Sequence, residues 1–260
     1  MAEFDGKVAL VTGGLSGIGH ATACVLAARG ATVVAAGIPP ERGAEPLPPG
    51  VKPAYADVTD ETAVTHLVDH VTAAHGGLDV LVAAAGIQRY GDTSETTADT
   101  WNEVLAVNVT GAFYAVKYAL PHLRARGAGS IVIVSSVQAF VTQNSVAAYT
   151  TSKGALNALA RSVAIDEAKH GIRANTVCPA SVDTPMLRAS ARSFSDGSDQ
   201  ATQDVVESWG RMHPLGRVAR PDEVAEAIAF LAGDRAGFIT GISLPVDGGL
   251  LAKAAVVLPQ

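Results

Sequence analysis

Seven short apolar runs recur along the 260 residues, and most are followed by a longer segment with helical spacing. They lie at Lys7–Gly14, Ala31–Gly37, Val51–Thr59, Leu78–Gly86, Gly129–Ser136, Ile172–Ala180 and Gly241–Gly249. Strands that are apolar at successive positions, rather than at alternate ones, are buried on both faces. Combined with intervening helices, they predict a parallel sheet covered on both sides, a doubly wound α/β domain. Helical spacing is expected over Gly19–Gly30, from about Asp60 to His75, from Thr100 to about Ala125, and from Tyr149 to near Gly171. A further helix is expected over Arg220–Gly233, where Pro221 and Asp222 act as start signals. Ala180 to about Pro214 is rich in Ser, Asp, Gln and Arg and reads as a long irregular loop. A loop of that length in a compact domain is functional or disordered.

With 48% hydrophobic and 17% charged residues, the chain carries enough apolar material for one large domain over residues 1–260. No internal repeat or dividing linker is present. Net charge is -6, which argues against nucleic acid or an anionic membrane surface as partner. Cys24 and Cys178 lie far apart without a CxxC pattern or a His cluster, so buried free thiols in a reducing cytoplasm are expected and no metal site. The N-terminal residues lack a basic region followed by an apolar one, so no secretory signal is expected. No unbroken apolar run approaches the ~20 residues that cross a bilayer.

Two motifs carry chemistry. "TGGLSGIG" (Thr12–Gly19) joins the first strand to the first helix. Gly13 permits a tight turn, Gly17 a close backbone approach, and Gly19 contact between helix and strand. Amides at the helix N-terminus then face a pyrophosphate. In "AAYTTSK", Tyr149 and Lys153 are one helical turn apart and share a face. An ordinary phenol, with pKa near 10, is not a base at neutral pH, and an adjacent ammonium favours its phenolate. Lowering that pKa to about 7 requires roughly 4 kcal/mol. On a solvent face the same pair would mean nothing.

Together with Asn108 in "LAVNVTGAF", Ser136 at the end of the fifth strand, and "CPASVDTPM" (Cys178–Met186), these motifs resemble the classical short-chain dehydrogenase/reductase family from Gly6 to Gly249. The resemblance implies a Rossmann-type, mostly seven-stranded parallel sheet and an NAD(P)-dependent oxidoreductase that interconverts a secondary alcohol and a ketone. It implies Tyr149 as general acid/base and Lys153 as the residue that holds the nicotinamide ribose and lowers the Tyr149 pKa, with the positive nicotinamide of an oxidised cofactor adding to that lowering. Ser136 would hold the substrate oxygen. Asn108 would anchor a relay water, or else bend its helix. It further assigns Gly13, Leu15, Ser16, Gly17, Ile18, Gly19, Gly37, Asp57, Val58, Ala84, Ala85, Gly86, Pro179, Val182 and Thr184 to dinucleotide contact. Asp57 could instead be a helix N-cap. A homotetramer is expected, with the apolar tail Leu251–Gln260 packed on a neighbouring subunit.

The chain departs from the family pattern in three places. Ala84 and Ala85 stand where asparagines are usual, so contact there would be apolar or through backbone. Ala180 replaces a glycine, which requires that its φ not be positive. Gly37 stands where a carboxylate would select NAD, while Leu15 and Ile38 occupy positions at which cations often select NADP. The lack of nearby cations favours NAD over NADP, although Glu41 and Arg42 follow in the loop. Gln88, Arg89, Gln138, Gln143, Met186, Trp209, Met212 and His213 are candidates to line a substrate pocket. A glutamine-lined pocket suits a sugar, polyol or hydroxy acid, and a keto ester or cyclic ketone is also permitted. An NADPH-dependent carbonyl or 3-ketoacyl reductase is the alternative enzyme. A dinucleotide-sensing regulator without turnover is the alternative of another class.

Overall fold

The computed structural model describes residues 2–39 and 46–254. Seven strands form one sheet: β1 (Val8–Thr12), β2 (Thr32–Gly37), β3 (Val51–Tyr55), β4 (Val80–Ala83), β5 (Gly129–Val134), β6 (Ile172–Pro179) and β7 (Ser243–Val246). Their order is β3-β2-β1-β4-β5-β6-β7, with every pairing parallel. The helices are α1 (Gly17–Ala28), α2 (Glu61–His75), α3 (Ala98–Leu105), α4 (Gly111–Arg126), α5 (Ala147–Glu167), α6 (Pro185–Ser193), α7 (Asp199–Gly210) and α8 (Pro221–Ala232).

Strand side chains alternate between two cores. Val8, Leu10, Leu81, Ile131 and Ile133 belong to the core that includes residues of α2, α4 and α5. Ala9, Val11, Val80, Val82, Val132 and Val134 belong to the one that includes residues of α1 and α8. Both faces are therefore buried, which is why the runs show no polar alternation. Pro53 in β3 is tolerated because β3 is the edge strand and its missing N–H leaves no partner stranded. Strand order reverses direction between β1 and β4, and the crevice beyond the C-terminal ends of those strands is where doubly wound sheets hold ligands.

Three expectations change. The stretch from Ala180 to Pro214 is not irregular: it holds α6 and α7. Thr184 caps α6, with Pro185 at its first position, and the Ser198 side chain caps α7 by accepting from the Ala201 amide. Each helix buries few side chains, so polar composition hid the helical period. The helix after Thr100 begins at Ala98 and is interrupted by a π turn at Ala106–Thr110. The 29-residue helical stretch Ala98–Arg126 is long and apolar enough to cross a membrane by length and composition. Here its apolar residues Ala112, Ala115, Val116, Ala119 and Leu123 enter the core instead.

Candidate active site

The glycine turn closes tightly over the switch point. A Cβ on Gly13, whose φ is 67°, would lie 2.5 Å from the Ala85 nitrogen. One on Gly19 would lie 2.1 Å from the Gly13 carbonyl oxygen, so both must be glycine for α1 and the end of β4 to meet. Gly14, which the motif reading passed over, is equally confined between the Val11 carbonyl and Ala35. Gly17 has φ 54° and faces the Thr184 side chain, joining the turn to the segment after β6. Ser16 makes no side-chain cap and the first turn of α1 contains no acid. The amides at Gly17, Ile18 and Gly19 thus open a helix whose positive end has no protein anion on it, which fits a pyrophosphate.

Leu15 lies against Gly37, 3.4 Å from where a Cβ would stand, and this fills the end of β2 with hydrocarbon. Ile38 beyond it is exposed. Glu41 and Arg42 lie outside the described residues. On the adjacent loop, Asp57 does not cap α2; that role belongs to Asp60. Asp57 Oδ1 accepts from the Thr59 amide and hydroxyl at 2.9 and 2.8 Å. Val58 is buried against Gly111, where any side chain would collide with it. Ala84 joins the sheet through its amide, which donates to the Thr12 carbonyl. Gly86 stands beside two of the polar candidates: a Cβ there would be 3.4 Å from Asn108 Oδ1 and 3.6 Å from Lys153 Nζ.

Asn108, fully buried in the π turn, clamps the chain after β4. Its Oδ1 accepts from the Ile87 amide at 2.8 Å, while Nδ2 donates to the Ile87 carbonyl and to Ser152 Oγ, both at 3.0 Å. Asn108 thus lies in the turn that interrupts its helix, as the helix-bending reading expects, and ties that helix to α5 one residue before Lys153. Ser135 supports the same helix by donating to the Lys153 carbonyl at 2.9 Å. Ser136 accepts from the Gln138 amide at 3.1 Å and donates to the Pro179 carbonyl at 3.4 Å, linking β5 to the end of β6.

Lys153 is buried, donates to the Val134 carbonyl at 3.0 Å, and stands 5.3 Å from the centre of the Tyr149 ring. The shared face predicted from the four-residue spacing is present. From the protein groups alone, the phenol's pKa is raised rather than lowered. Burial pushes Tyr149 up to about 12, with Ser136 offsetting part of the rise and Tyr90 adding to it. Burial likewise pushes Lys153 down to about 8. The ammonium lies over the ring and spends a proton on a carbonyl, so desolvation outweighs its pull on the phenol.

Beyond β6, Ala180 has no positive φ, so its methyl is accommodated. Val182 pairs with Ala219. Thr184 Oγ1 accepts from the Leu187 amide and donates to the Val182 carbonyl. Among the substrate candidates, Gln138 is engaged by Thr150, Gln143 is exposed, and Gln88 is partly buried. Arg89 pairs with Glu103. Met186 and Met212 are partly exposed. His213 is buried, its Nδ1 donating to the Asp247 carbonyl at 2.9 Å. Trp209 meets Phe194 edge-on at 6.4 Å, and Phe194 meets Tyr90 edge-on at 4.8 Å. Tyr90 and Phe194 escaped the sequence reading, although Tyr90 directly follows Arg89. A hollow of about 450 Å³ lies at the other end of the sheet, among Glu3, Asp79 and Arg173, away from this chemistry.

Comparison with known proteins gives the family. A family model described as enoyl-(acyl carrier protein) reductase matches residues 13–251. The cis-4-hydroxycyclohexanecarboxylate dehydrogenase of Sinomonas cyclohexanicum is 41% identical over 257 residues, covering 96% of this chain and 98% of that one. The meso-2,3-butanediol dehydrogenase of Serratia marcescens is 37% identical, covering 96% and 97%. The structure of Thermoplasma acidophilum aldohexose dehydrogenase superposes with a TM-score of 0.93 at 38% identity, covering 100% and 99%. The chain is an NAD(P)-dependent oxidoreductase acting on CH–OH groups, and it belongs to the classical short-chain dehydrogenase/reductase family.

Proposed function

We propose that this protein interconverts a small secondary alcohol and its ketone, with Tyr149 as the general acid/base. The observation that carries the reading is the convergence of Ser136, Tyr149 and Lys153 beside Gly86 at the C-terminal ends of β4 and β5. When bound, the dinucleotide supplies the hydride or accepts it. Residues of the glycine turn hold its pyrophosphate, and Asp57, Val58 and Ala84–Gly86 lie along the path of its adenosine half. Ser136 positions the substrate oxygen. Tyr149, protonated at neutral pH, donates to that oxygen during reduction and takes the proton back during oxidation. Lys153 holds the ribose and supplies positive charge beneath the phenol. Cytoplasmic residence fits two cysteines that are not joined in a disulfide.

NAD is favoured over NADP because the described end of β2 offers Leu15, Gly37 and Ile38 and no cation. A homotetramer is supported by exposed large apolar side chains on two parts of the surface. Phe113 and Ile165 (44% and 79% exposed) lie on α4 and α5, while Phe238 and Ile242 (105% and 39%) precede β7. The tail from Ala255 to Gln260 lies outside the described residues. A 3-ketoacyl or carbonyl reductase is the second reading, favoured by the 35% identity to a 3-oxoacyl-(acyl-carrier-protein) reductase of Thermotoga maritima. A regulator without turnover is disfavoured by the intact catalytic group.

The test is fluorescence titration with NADH and NADPH, followed by a panel of secondary alcohols, ketones and acyl thioesters with the preferred cofactor. Turnover of simple alcohols and ketones is expected. Tight dinucleotide binding with no turnover of any member would overturn the reading.

A further inference from the structure

Tyr90, Phe194 and Trp209 form a row of rings that no motif accounts for. The row runs from α7, through the end of α6, to the segment after β4, with centroid spacings of 6.4 and 4.8 Å. Two independent features bring its near end to the catalytic phenol. Gly91, next to Tyr90, donates its amide to the Ser145 carbonyl at 2.9 Å and forms a parallel bridge with Val146, just before α5. Tyr90 is also close enough to Tyr149 to alter its ionisation. Ser145 is moreover the one non-glycine residue with positive φ among the described residues, at 59°. Backbone strain of this kind persists where the surrounding structure imposes it, and it gathers at functional sites. Here the strained residue offers the carbonyl that docks the Tyr90 segment beside Tyr149.

We infer that this row is the wall against which the carbon skeleton of the substrate lies, and that it selects a neutral secondary alcohol carried on a six-membered carbocycle. The inference rests on the proposed reaction, which fixes the substrate oxygen at Tyr149 and Ser136. With the oxygen held there, the skeleton must lie beside the phenol, where Tyr90 is the first ring of the row and Phe194 follows 4.8 Å beyond it. Phe194 is 57% exposed and Tyr90 36%, so their apolar surface is available for burial by a ligand. A flat-faced carbocycle matches such a surface better than a short acyclic chain, which covers less of it. Charged substrates are less well matched. Arg89, Arg188 and Arg192, the arginines on the segments forming this wall, pair with Glu103, Asp183 and Asp199. The hydroxy-acid reading of the sequence loses ground on this account.

The test compares cyclohexanol with butan-2-ol in wild type, Tyr90→Phe, Tyr90→Ala and Phe194→Ala. Wild type and Tyr90→Phe are expected to prefer the ring. Each alanine variant is expected to lower kcat/KM for cyclohexanol about 10-fold, mainly through KM, while butan-2-ol changes less than about 3-fold. A ring preference unchanged by Tyr90→Ala would overturn the inference. A readout without turnover separates it from the reaction itself. In a Trp101→Phe background, Trp209 emission reports binding of cyclohexanone with oxidised dinucleotide, a pair that cannot react. Ring binding that weakens about 10-fold on Tyr90→Ala supports the wall even if no alcohol is oxidised, an outcome that would defeat only the proposed reaction. Ring binding that is absent, or indifferent to Tyr90, overturns the wall whatever the enzyme turns over.

Discussion

In the dinucleotide-free protein, Tyr149 should ionise well above the ordinary range of a tyrosine. Its folded pKa stands at about 12 against an ordinary 10, because burial removes water from the phenolate and Lys153 is aimed at a carbonyl. At neutral pH only about one molecule in 10⁵ would carry the phenolate. The same shift is a statement about stability. The folded pKa is raised, so the stabilisation is complete below pH 10 and is lost as pH rises through 12. Two units correspond to about 3 kcal/mol at most. Lys153 acts in the opposite sense. Its folded pKa is depressed to about 8 from 10.5, so stability should gain across that interval. Subtracting Tyr149→Phe from wild type isolates the tyrosine. Phenolate difference absorbance should show no Tyr149 component below pH 10, and denaturant unfolding should show wild type losing up to about 3 kcal/mol more than the variant across the alkaline window. A Tyr149 phenolate already present near pH 8 would refute the reasoning. It would mean that the lysine beneath the ring outweighs desolvation.

Other perturbations read other parts of the site. Gly13→Ala sets a methyl 2.5 Å from the Ala85 nitrogen at positive φ, and should cost at least about 2 kcal/mol in denaturant unfolding while abolishing dinucleotide binding by calorimetry. Asn108→Ala removes three hydrogen bonds and strands the Ile87 amide and carbonyl. A loss of about 2–4 kcal/mol is expected by thermal unfolding, with kcat falling as Lys153 loses its neighbouring support. Cys178 is buried and its thiol is pushed up, so it should resist alkylation in the native protein and react on unfolding, as peptide mapping would show.

What the chain discloses before folding is what depends on local spacing. Apolar runs such as Val80–Ala83 announce a buried parallel strand because every position faces a core. Gly13 and Gly19 are legible because the turn between strand and helix has few solutions, and Tyr149 and Lys153 because a helix fixes the offset between them. The helices α6 and α7 stayed hidden because Met186, Ala191, Thr202 and Val206 make only a thin apolar stripe among polar residues. The π turn at Asn108 needs Ile87 and Ser152, which lie 21 and 44 residues away. The direction of the Tyr149 shift depends on how deeply the phenol is buried and where Lys153 points, and neither is a property of the four-residue interval. The row from Tyr90 to Trp209 is likewise a product of tertiary contact.

The measurement closest to the central claim is steady-state turnover of Tyr149→Phe alongside its affinity for dinucleotide. The account predicts kcat/KM lowered by at least about 10³-fold for reduction and oxidation alike, with the dinucleotide dissociation constant within a few-fold of wild type. A variant that binds the dinucleotide normally and keeps turnover within about 10-fold of wild type would show that the proton passes through some other group.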